Sequence, residues 1–205
     1  MASLISVPAL WLIAGPNGVG KTTYAFRWIR QVSGSAHFVN LDEISRGLSP
    51  LEPQAARVQA ARVALGMTKE FIRAKRSFSV ETTLAGRTHL LTIDAARQAG
   101  FQINLLYFAV QSPAICIARV ARRVSEGGHG VPEADIRRRF TRSAGNFGAY
   151  SRLATLWRVF DNNGPRPEAV AEGHAGCRAH AVGLDGLPAS LAAVISAMPP
   201  CKEGG

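Results

Sequence analysis

The chain has 205 residues, a length that suits one domain with a three-layer core and is too short for two domains of ordinary size. Its formal net charge of +10 comes from 24 basic and 14 acidic residues, but 20 of the basic residues are arginines spread along the chain, so nucleic acid is not the expected partner. No apolar run reaches the roughly 18 residues of a membrane-spanning helix, and the N-terminus lacks the basic segment of a signal peptide. We therefore expect a cytoplasmic protein that does not bind a membrane.

The first predicted element is a strand, Leu10 to Ala14, which leads directly into a phosphate-binding loop. Residues 15–23 contain the pattern G-x-x-x-x-G-K-[ST] in full, in which backbone N–H groups converge on nucleotide phosphates and glycines keep the approach free of side chains. We expect Lys21 to contact the β- and γ-phosphates of ATP or GTP, and the Thr22 hydroxyl to bind Mg²⁺. The predicted nucleotide-binding residues are Gly15, Pro16, Asn17, Gly18, Val19, Gly20, Lys21, Thr22 and Thr23.

The second predicted strand, His37 to Asn40, is followed directly by acidic residues. Ligands of parallel sheets bind at the carboxyl ends of the strands, which places Asp42 beside the phosphate loop. There its carboxylate can accept the proton of an acceptor hydroxyl as the γ-phosphoryl group arrives, so Asp42 is the candidate catalytic base. Aspartate is also favoured at helix N-caps, and a capping role is the alternative.

The third predicted strand, Ser77 to Thr82, also ends in polar side chains. Glu81, Thr82 and Thr83 are therefore expected, with the aspartate above, to bind the acceptor or a water on Mg²⁺. Threonine and glutamate also recur at helix starts, so capping is again the alternative. The neighbouring elements are helices predicted at 53–76 and 88–99 and a fourth strand at 102–110.

Two further helices, one at 113–124 and one that begins at 132, are separated by the glycine-rich segment 127–132. This arrangement predicts a helical lid over about residues 119–147. Arg119 and Arg123 lie four residues apart and so share a helix face, and Arg138 and Arg142 repeat that spacing. In phosphoryl transfer, arginines neutralise charge on the transferred group, so these four are candidate catalytic residues. A solvated basic face is the alternative.

The chain ends with a fifth strand predicted at 156–160, an irregular segment at 162–186 with at most one poor strand, a short helix at 188–197 and a disordered tail at 199–205. His174, Cys177 and His180 are spaced like metal ligands but lack a fourth partner, so no metal site is predicted there. The three cysteines, Cys116, Cys177 and Cys201, are odd in number and scattered, and they predict no disulfide framework.

Strands that alternate with helices indicate the α/β class. We predict a three-layer P-loop NTPase fold of the kinase-like type, with a mainly parallel five-stranded sheet flanked by helices. Residues 1–198 are expected to form a single domain that includes the lid.

Several segments, in this order along the chain, resemble the zeta-toxin family: residues 15–23, Asn40-Leu41-Asp42-Glu43-Ile44, residues 81–86, 119–124, 127–146 and Phe160-Asp161-Asn162. The resemblance implies a kinase that transfers phosphate from ATP to the 3′-hydroxyl of UDP-N-acetylglucosamine and is held inactive by a small antitoxin protein. By position, it implies that Lys21 and Thr22 hold the nucleotide and Mg²⁺. It also implies that Asp42 is the base, that Glu81 and Thr82 lie on the acceptor side, and that the four arginines named above belong to the lid.

The leading hypothesis is thus an Mg²⁺-dependent kinase that acts on a small-molecule hydroxyl, with a nucleotide sugar as the implied acceptor. A kinase that acts on a nucleic-acid end is the second hypothesis, suggested by the arginine excess. A nucleotide-binding regulatory protein with little turnover is the third, although the retained aspartate and arginines argue against it.

Overall fold

The computed structural model describes residues 7–28 and 37–202. A seven-stranded sheet in the order β2-β3-β1-β4-β5-β6-β7 forms its centre. The strands are β1 (Ala9–Ala14), β2 (Phe38–Val39), β3 (Phe78–Thr82), β4 (Gln102–Ala109), β5 (Leu156–Asp161), β6 (Glu168–His174) and β7 (Cys177–Ala181). Strands β1 to β5 pair in parallel, whereas β5 to β7 pair antiparallel.

The prediction of a five-stranded sheet is therefore wrong in number and correct for the parallel part. The hairpin of β6 and β7 was missed because its residues include alanine, glycine, glutamate and histidine, which carry little β-propensity. The two strands lie at the end of the sheet and are half exposed, so no apolar run marks them.

The described ranges contain seven α-helices, six between strands and one after β7. They are α1 (Lys21–Trp28), α2 (Leu41–Leu48), α3 (Arg57–Arg73), α4 (Thr88–Gln98), α5 (Pro113–Ser125), α6 (Glu133–Ser151) and α7 (Ala189–Ser196). Alternate residues of β1 point into two apolar clusters, with Leu12 in one and Ile13 in the other, both fully buried. The first cluster includes side chains of α4 and α7 and the second those of α1 and α5, so helices cover both faces of the sheet.

One face of helix α6 packs in the core along most of the helix. Ile136 and Phe140, in its N-terminal half, pack in the second cluster, and Phe147 and Tyr150 pack in the first. The structure therefore does not confirm a separate helical lid over 119–147. The glycine-rich segment connects two helices that are both anchored in the core.

The C-terminal segment is ordered as far as it is described. Arg178 N donates to Pro199 O at 2.8 Å and Cys201 N donates to Arg178 O at 3.0 Å, so residues 199–201, expected in a disordered tail, run along β7. Residues 203–205 of that tail lie outside the described residues. Cys177 and Cys201 form a disulfide bond, and Cys116 is free and buried. The pairing was not predicted because it depends on the path of the tail, which cysteine spacing does not reveal.

None of the helices in the described part of the chain combines the length and apolarity that a bilayer crossing requires.

Candidate functional site

The phosphate loop lies between β1 and α1, as predicted, and it packs against the end of β4 and the first turn of α5. Gly15 and Gly18 have φ angles of 138° and 79°, which L side chains rarely adopt. A Cβ atom at Gly15 would overlap Phe108 O, and one at Gly18 would overlap Cys116 O. The loop therefore requires glycine at both positions for its backbone path and for its packing.

Four side chains form a hydrogen-bonded network at the mouth of the loop. Lys21 Nζ donates to Pro16 O at 2.9 Å and lies 3.9 Å from Glu81 Oε1. The Thr22 hydroxyl donates to both oxygens of Glu81 at 3.0 Å, and Asn40 Nδ2 donates to Glu81 Oε2 at 2.9 Å. One carboxylate thus connects the lysine of the phosphate loop, the candidate Mg²⁺ ligand Thr22 and Asn40, which follows β2.

Burial shifts the pKa values of two residues in this network. Lys21 is 5% exposed and Glu81 is 12% exposed. Burial lowers the pKa of Lys21 and raises the pKa of Glu81, and each is opposed by the charge of the other. The lysine is therefore held out of water and directed into the loop, where an anionic ligand would favour its charged form.

Asp42 does not cap helix α2, which was the alternative to a catalytic role. Asn40 is the N-cap, and its Oδ1 accepts from Asp42 N at 2.9 Å and from Glu43 N at 3.2 Å. Glu43 pairs with Arg46 at 3.2 Å, whereas the Asp42 carboxylate has no hydrogen bond or ion pair within residues 7–28 and 37–202. An unpaired carboxylate in the first turn of α2 therefore faces the space beside the phosphate loop.

That space consists of two adjacent cavities of 440 Å³ and 370 Å³. Both are lined by Asn17, Asp42, Gln54, Arg57 and His129. Only the larger one reaches the lysine, Thr22 and Thr23 of the phosphate loop and the Glu81 carboxylate. The arrangement can hold a polyphosphate in the larger cavity and a second molecule beside the aspartate.

Of the predicted acceptor residues, Thr82 and Thr83 do not line either cavity. The Thr82 hydroxyl accepts from Leu84 N at 3.1 Å, and the Thr83 hydroxyl accepts from Ala85 N at 3.5 Å. Both side chains thus stabilise the turn after β3. This structural role is similar to helix capping, which was the alternative to binding an acceptor.

The structure separates the two predicted arginine pairs. Arg119 and Arg123, on α5, line the larger cavity, where they donate to Asn162 O at 2.9 Å and to His129 O at 2.6 Å. Arg138 pairs with Asp135 at 2.8 Å on the outside of α6, and Arg142 is exposed; neither lines a described cavity.

Arg139, which sequence reasoning did not choose, lies in the smaller cavity with Arg57. The Arg139 side chain is 17% exposed and donates to Asn17 Oδ1, in the phosphate loop, at 3.0 Å. Burial, and next the charge of Arg57, lower the pKa of Arg139. The Arg57 side chain is half buried and has no hydrogen-bond or ion-pair partner in the described ranges.

A signal for Arg139 was present in the sequence. It lies three residues after Ile136 and four before Ser143, both buried, and so belongs to the apolar face of α6. Arginine is rarely buried unless it is paired, so an arginine on this face is expected to have a hydrogen-bond or ion-pair partner.

Comparison with known proteins agrees with this geometry. A family model described as an AAA domain (AAA_33) matches residues 10–143, more than half of the chain. The chain belongs to this AAA domain family. The matched range includes the phosphate loop, Asp42, Glu81 and the arginines of α5 and α6.

An uncharacterised protein of Haemophilus influenzae is 30% identical over 128 residues, which are 62% of this chain and 88% of that protein. Among solved structures, a chain of the AvrRxo1-ORF1:AvrRxo1-ORF2 complex with sulphate ions aligns with a TM-score of 0.65 at 18% identity. The alignment covers 86% of this chain but only 61% of that one. The same complex with ATP gives a TM-score of 0.63 at 15% identity, with 98% and 67% covered.

A structure from the PezAT chromosomal toxin-antitoxin system of Streptococcus pneumoniae aligns with a TM-score of 0.63 at 12% identity, over 81% of this chain and 72% of that one. At identities this low, structural likeness shows the fold alone. The chain therefore has a P-loop kinase-like α/β fold. Such a fold implies nucleotide binding.

Proposed function

We propose that the protein is a phosphotransferase that moves the γ-phosphoryl group of ATP to a hydroxyl group of a small anionic molecule. The observation that carries this proposal is the unpaired Asp42 carboxylate, which faces the same cavity as the phosphate loop. A protein that only binds nucleotide has no need for a free carboxylate there. The chain spans 61% of the length of the solved AvrRxo1 complex chain.

The donor side of the reaction rests on the phosphate loop. Burial lowers the pKa of Lys21, and phosphates that enter the loop would favour its charged form. Thr22 and the Glu81 carboxylate offer the oxygen ligands that Mg²⁺ prefers, so the residues present fit this ion. When bound, Mg²⁺ would neutralise charge on the β- and γ-phosphates.

On the acceptor side, Asp42 takes the hydroxyl proton while the acceptor oxygen forms a bond to the γ-phosphorus. The bond between that phosphorus and the bridging oxygen breaks, and ADP leaves. Arg119 and Arg123, held by backbone carbonyls on the wall of the larger cavity, stabilise the charge on the transferred group. These arginines need little reorganisation because their guanidinium groups are already oriented.

Arg57 and Arg139 support an acceptor that carries a phosphate or a carboxylate. Asp135 pairs with Arg139 at 3.4 Å, whereas Arg57 has no ion-pair partner in the described ranges, so its guanidinium group is available to an anion. Arginine is suited to bind such groups with two parallel hydrogen bonds. The resemblance to zeta toxins favours UDP-N-acetylglucosamine within this class, and it also favours a small antitoxin as partner; both are proposals.

The test uses γ-labelled ATP, Mg²⁺ and a panel of nucleotide sugars, sugar phosphates and neutral polyols. We expect label on an anionic compound, and we expect Asp42→Asn to lower turnover by roughly 100- to 10,000-fold while ATP affinity is retained. Asp94→Asn, an exposed change on α4, serves as the control. Transfer by Asp42→Asn at the wild-type rate would remove Asp42 as the base.

The anionic acceptor is tested separately. Arg57→Ala should raise the acceptor KM by about 10- to 100-fold, the loss expected for hydrogen bonds to a charged group. The KM for ATP should change little, because Arg57 makes no hydrogen bond to the phosphate loop within the described ranges. Arg97→Ala, an exposed arginine on α4, is the matched control. Labelling of neutral polyols alone would reject the anionic class and leave the phosphotransferase proposal standing.

A further inference from the structure

Far along the chain from the nucleotide site, three side chains with metal-binding atoms meet at the end of the β6–β7 hairpin. His174 Nδ1 lies 3.4 Å from Cys177 Sγ and 3.7 Å from Cys201 Sγ. All three ligand atoms lie within 4.8 Å of one another. His180, which the sequence spacing had suggested, is not in this group.

The backbone fixes His174 and Cys177 independently of the disulfide bond. The two residues are direct cross-strand neighbours, joined by a two-residue turn in which Ala175 and Gly176 both have positive φ angles. Ala175 N donates to Ala154 O at 2.9 Å, which anchors the turn to the segment after α6. Cys177 O accepts from Trp157 Nε1 at 3.1 Å, so the fully buried tryptophan fixes the position of this cysteine.

Cys201 is held by backbone bonds as well. The segment that contains it pairs with Arg178 through Arg178 N to Pro199 O at 2.8 Å and Cys201 N to Arg178 O at 3.0 Å. The third side chain is thus brought to the hairpin by the backbone of β7. These hydrogen bonds do not involve the disulfide, so we expect the three side chains to stay together when both cysteines are thiols.

The distances suit tetrahedral coordination. With metal–sulfur bonds of about 2.3 Å and metal–nitrogen bonds of about 2.0–2.1 Å, a tetrahedral site places sulfur and nitrogen about 3.5 Å apart and two sulfurs about 3.8 Å apart. The observed separations of His174 Nδ1 from the two sulfurs, 3.4 Å and 3.7 Å, bracket the first value. To reach this geometry, the two sulfur atoms must move apart to about 3.8 Å after the disulfide bond is reduced.

We propose that, in its dithiol form, this site binds one divalent cation that prefers thiolate and imidazole ligands, Zn²⁺ above all. The ligands are His174 Nδ1, Cys177 Sγ and Cys201 Sγ, and the fourth position is open to solvent because His174 is exposed. The bound ion holds the C-terminal segment against β7, as the disulfide does in the oxidised form.

The two forms are related by a balanced reaction. A dithiol reductant supplies two electrons and two protons, becomes a cyclic disulfide itself, and leaves Cys177 and Cys201 as thiols. Binding of the cation then releases the two thiol protons, because the ligands are thiolates. Disulfide and metal are therefore mutually exclusive at this site.

The experiment titrates the reduced, metal-free full-length chain with Co²⁺ and Zn²⁺. We expect one ion per chain, a thiolate-to-cobalt charge-transfer band in the near-ultraviolet, and displacement of Co²⁺ by Zn²⁺. His174→Ala, Cys177→Ser and Cys201→Ser should each weaken binding by more than about tenfold. Tenfold is the smaller effect expected when a residue that only supports a metal ligand is removed, and these three residues are the ligands themselves. His180→Ala and Cys116→Ser are the controls and should bind normally.

A second measurement needs no variant. In the reduced wild-type chain, Zn²⁺ should protect Cys177 and Cys201 from alkylation, and oxidation to the disulfide should abolish Co²⁺ binding. The proposal is overturned if the reduced chain binds no ion, or if the His180 control loses as much affinity as the His174 variant. Equal alkylation rates of both cysteines with and without Zn²⁺ would overturn it as well.

Discussion

Single residues at the phosphate loop are constrained by neighbours from distant parts of the chain. Gly18 approaches Cys116 in α5, and Asn162, which follows β5, donates to Val19 O at 2.6 Å. Arg119 in turn donates to Asn162 O. The loop is thus held by α5 and the segment after β5 in addition to β1 and α1.

Gly18→Ala should disturb this packing. Alanine at a positive φ angle, with a Cβ that overlaps Cys116 O, should lower the free energy of unfolding by about 1–3 kcal/mol and abolish nucleotide binding. Gly66→Ala is the control, because Gly66 lies in the exposed interior of α3 with open space around it. That change should raise stability by up to about 1 kcal/mol. Denaturant unfolding and nucleotide titration measure both; unaltered binding by Gly18→Ala would contradict the account of the loop.

The Cys116 thiol should be unreactive. Burial raises its pKa to about 11, although Lys21 and Arg119 act in the opposite direction. The thiolate is the reactive form, so alkylation of Cys116 in the folded chain should stay slow between about pH 7 and 9, where an exposed cysteine, of pKa near 8.5, reacts readily. Mass spectrometry after timed alkylation, repeated in denaturant, makes the measurement. Rapid modification in the folded chain would show that Cys116 is accessible.

At the scale of elements, one polar contact joins α6 to the centre of the sheet. The Tyr107 hydroxyl of β4 and the Ser143 hydroxyl are 2.9 Å apart, and both residues are almost fully buried. Because a buried hydroxyl without a partner is costly, each group depends on the other.

Tyr107→Phe should therefore destabilise the protein by about 1–3 kcal/mol, since it leaves the Ser143 hydroxyl unsatisfied. Adding Ser143→Ala should cost less than the sum of the two single changes, because it removes the orphaned group. The four proteins of this cycle are compared by denaturant unfolding. Strict additivity would mean that the two hydroxyls do not interact.

The sequence predicted the parallel strands and the phosphate loop well because long apolar runs and a fixed glycine pattern are local signals. The β6–β7 hairpin has neither, since it depends on pairing with β5 and on an edge position. The arginines show the same limit. The spacing of Arg138 and Arg142 correctly indicated a shared face, but it did not reveal that this face points away from the smaller cavity. That cavity is lined by Arg139, whose place on the apolar face of α6 was readable from the sequence.

At the scale of the whole molecule, the nucleotide site joins β1, β3, α1 and α5, so a bound nucleotide should stabilise the entire fold. At a nucleotide concentration 100 times Kd, linkage predicts a gain of about 2.7 kcal/mol, which for a chain of this size raises Tm by roughly 5–10 °C. Thermal unfolding with and without Mg²⁺ and ADP measures the gain.

Lys21→Ala should lose this stabilisation, because the lysine charge no longer meets the phosphates. Lys69→Ala, an exposed lysine on α3, should keep it. An identical rise in Tm for Lys21→Ala and the wild-type chain would indicate that the nucleotide binds elsewhere.

The Glu81 carboxylate accepts from the Thr22 hydroxyl on one side and from Asn40, the cap of the helix that carries Asp42, on the other. A ligand that draws Thr22 away from Glu81 changes the hydrogen bonding of Asn40 as well. Donor and acceptor affinities are then coupled, and thermodynamic reciprocity requires each ligand to alter the affinity of the other by the same factor. Binding of either substrate would then alter the binding of the other through the side chains of Thr22, Glu81 and Asn40.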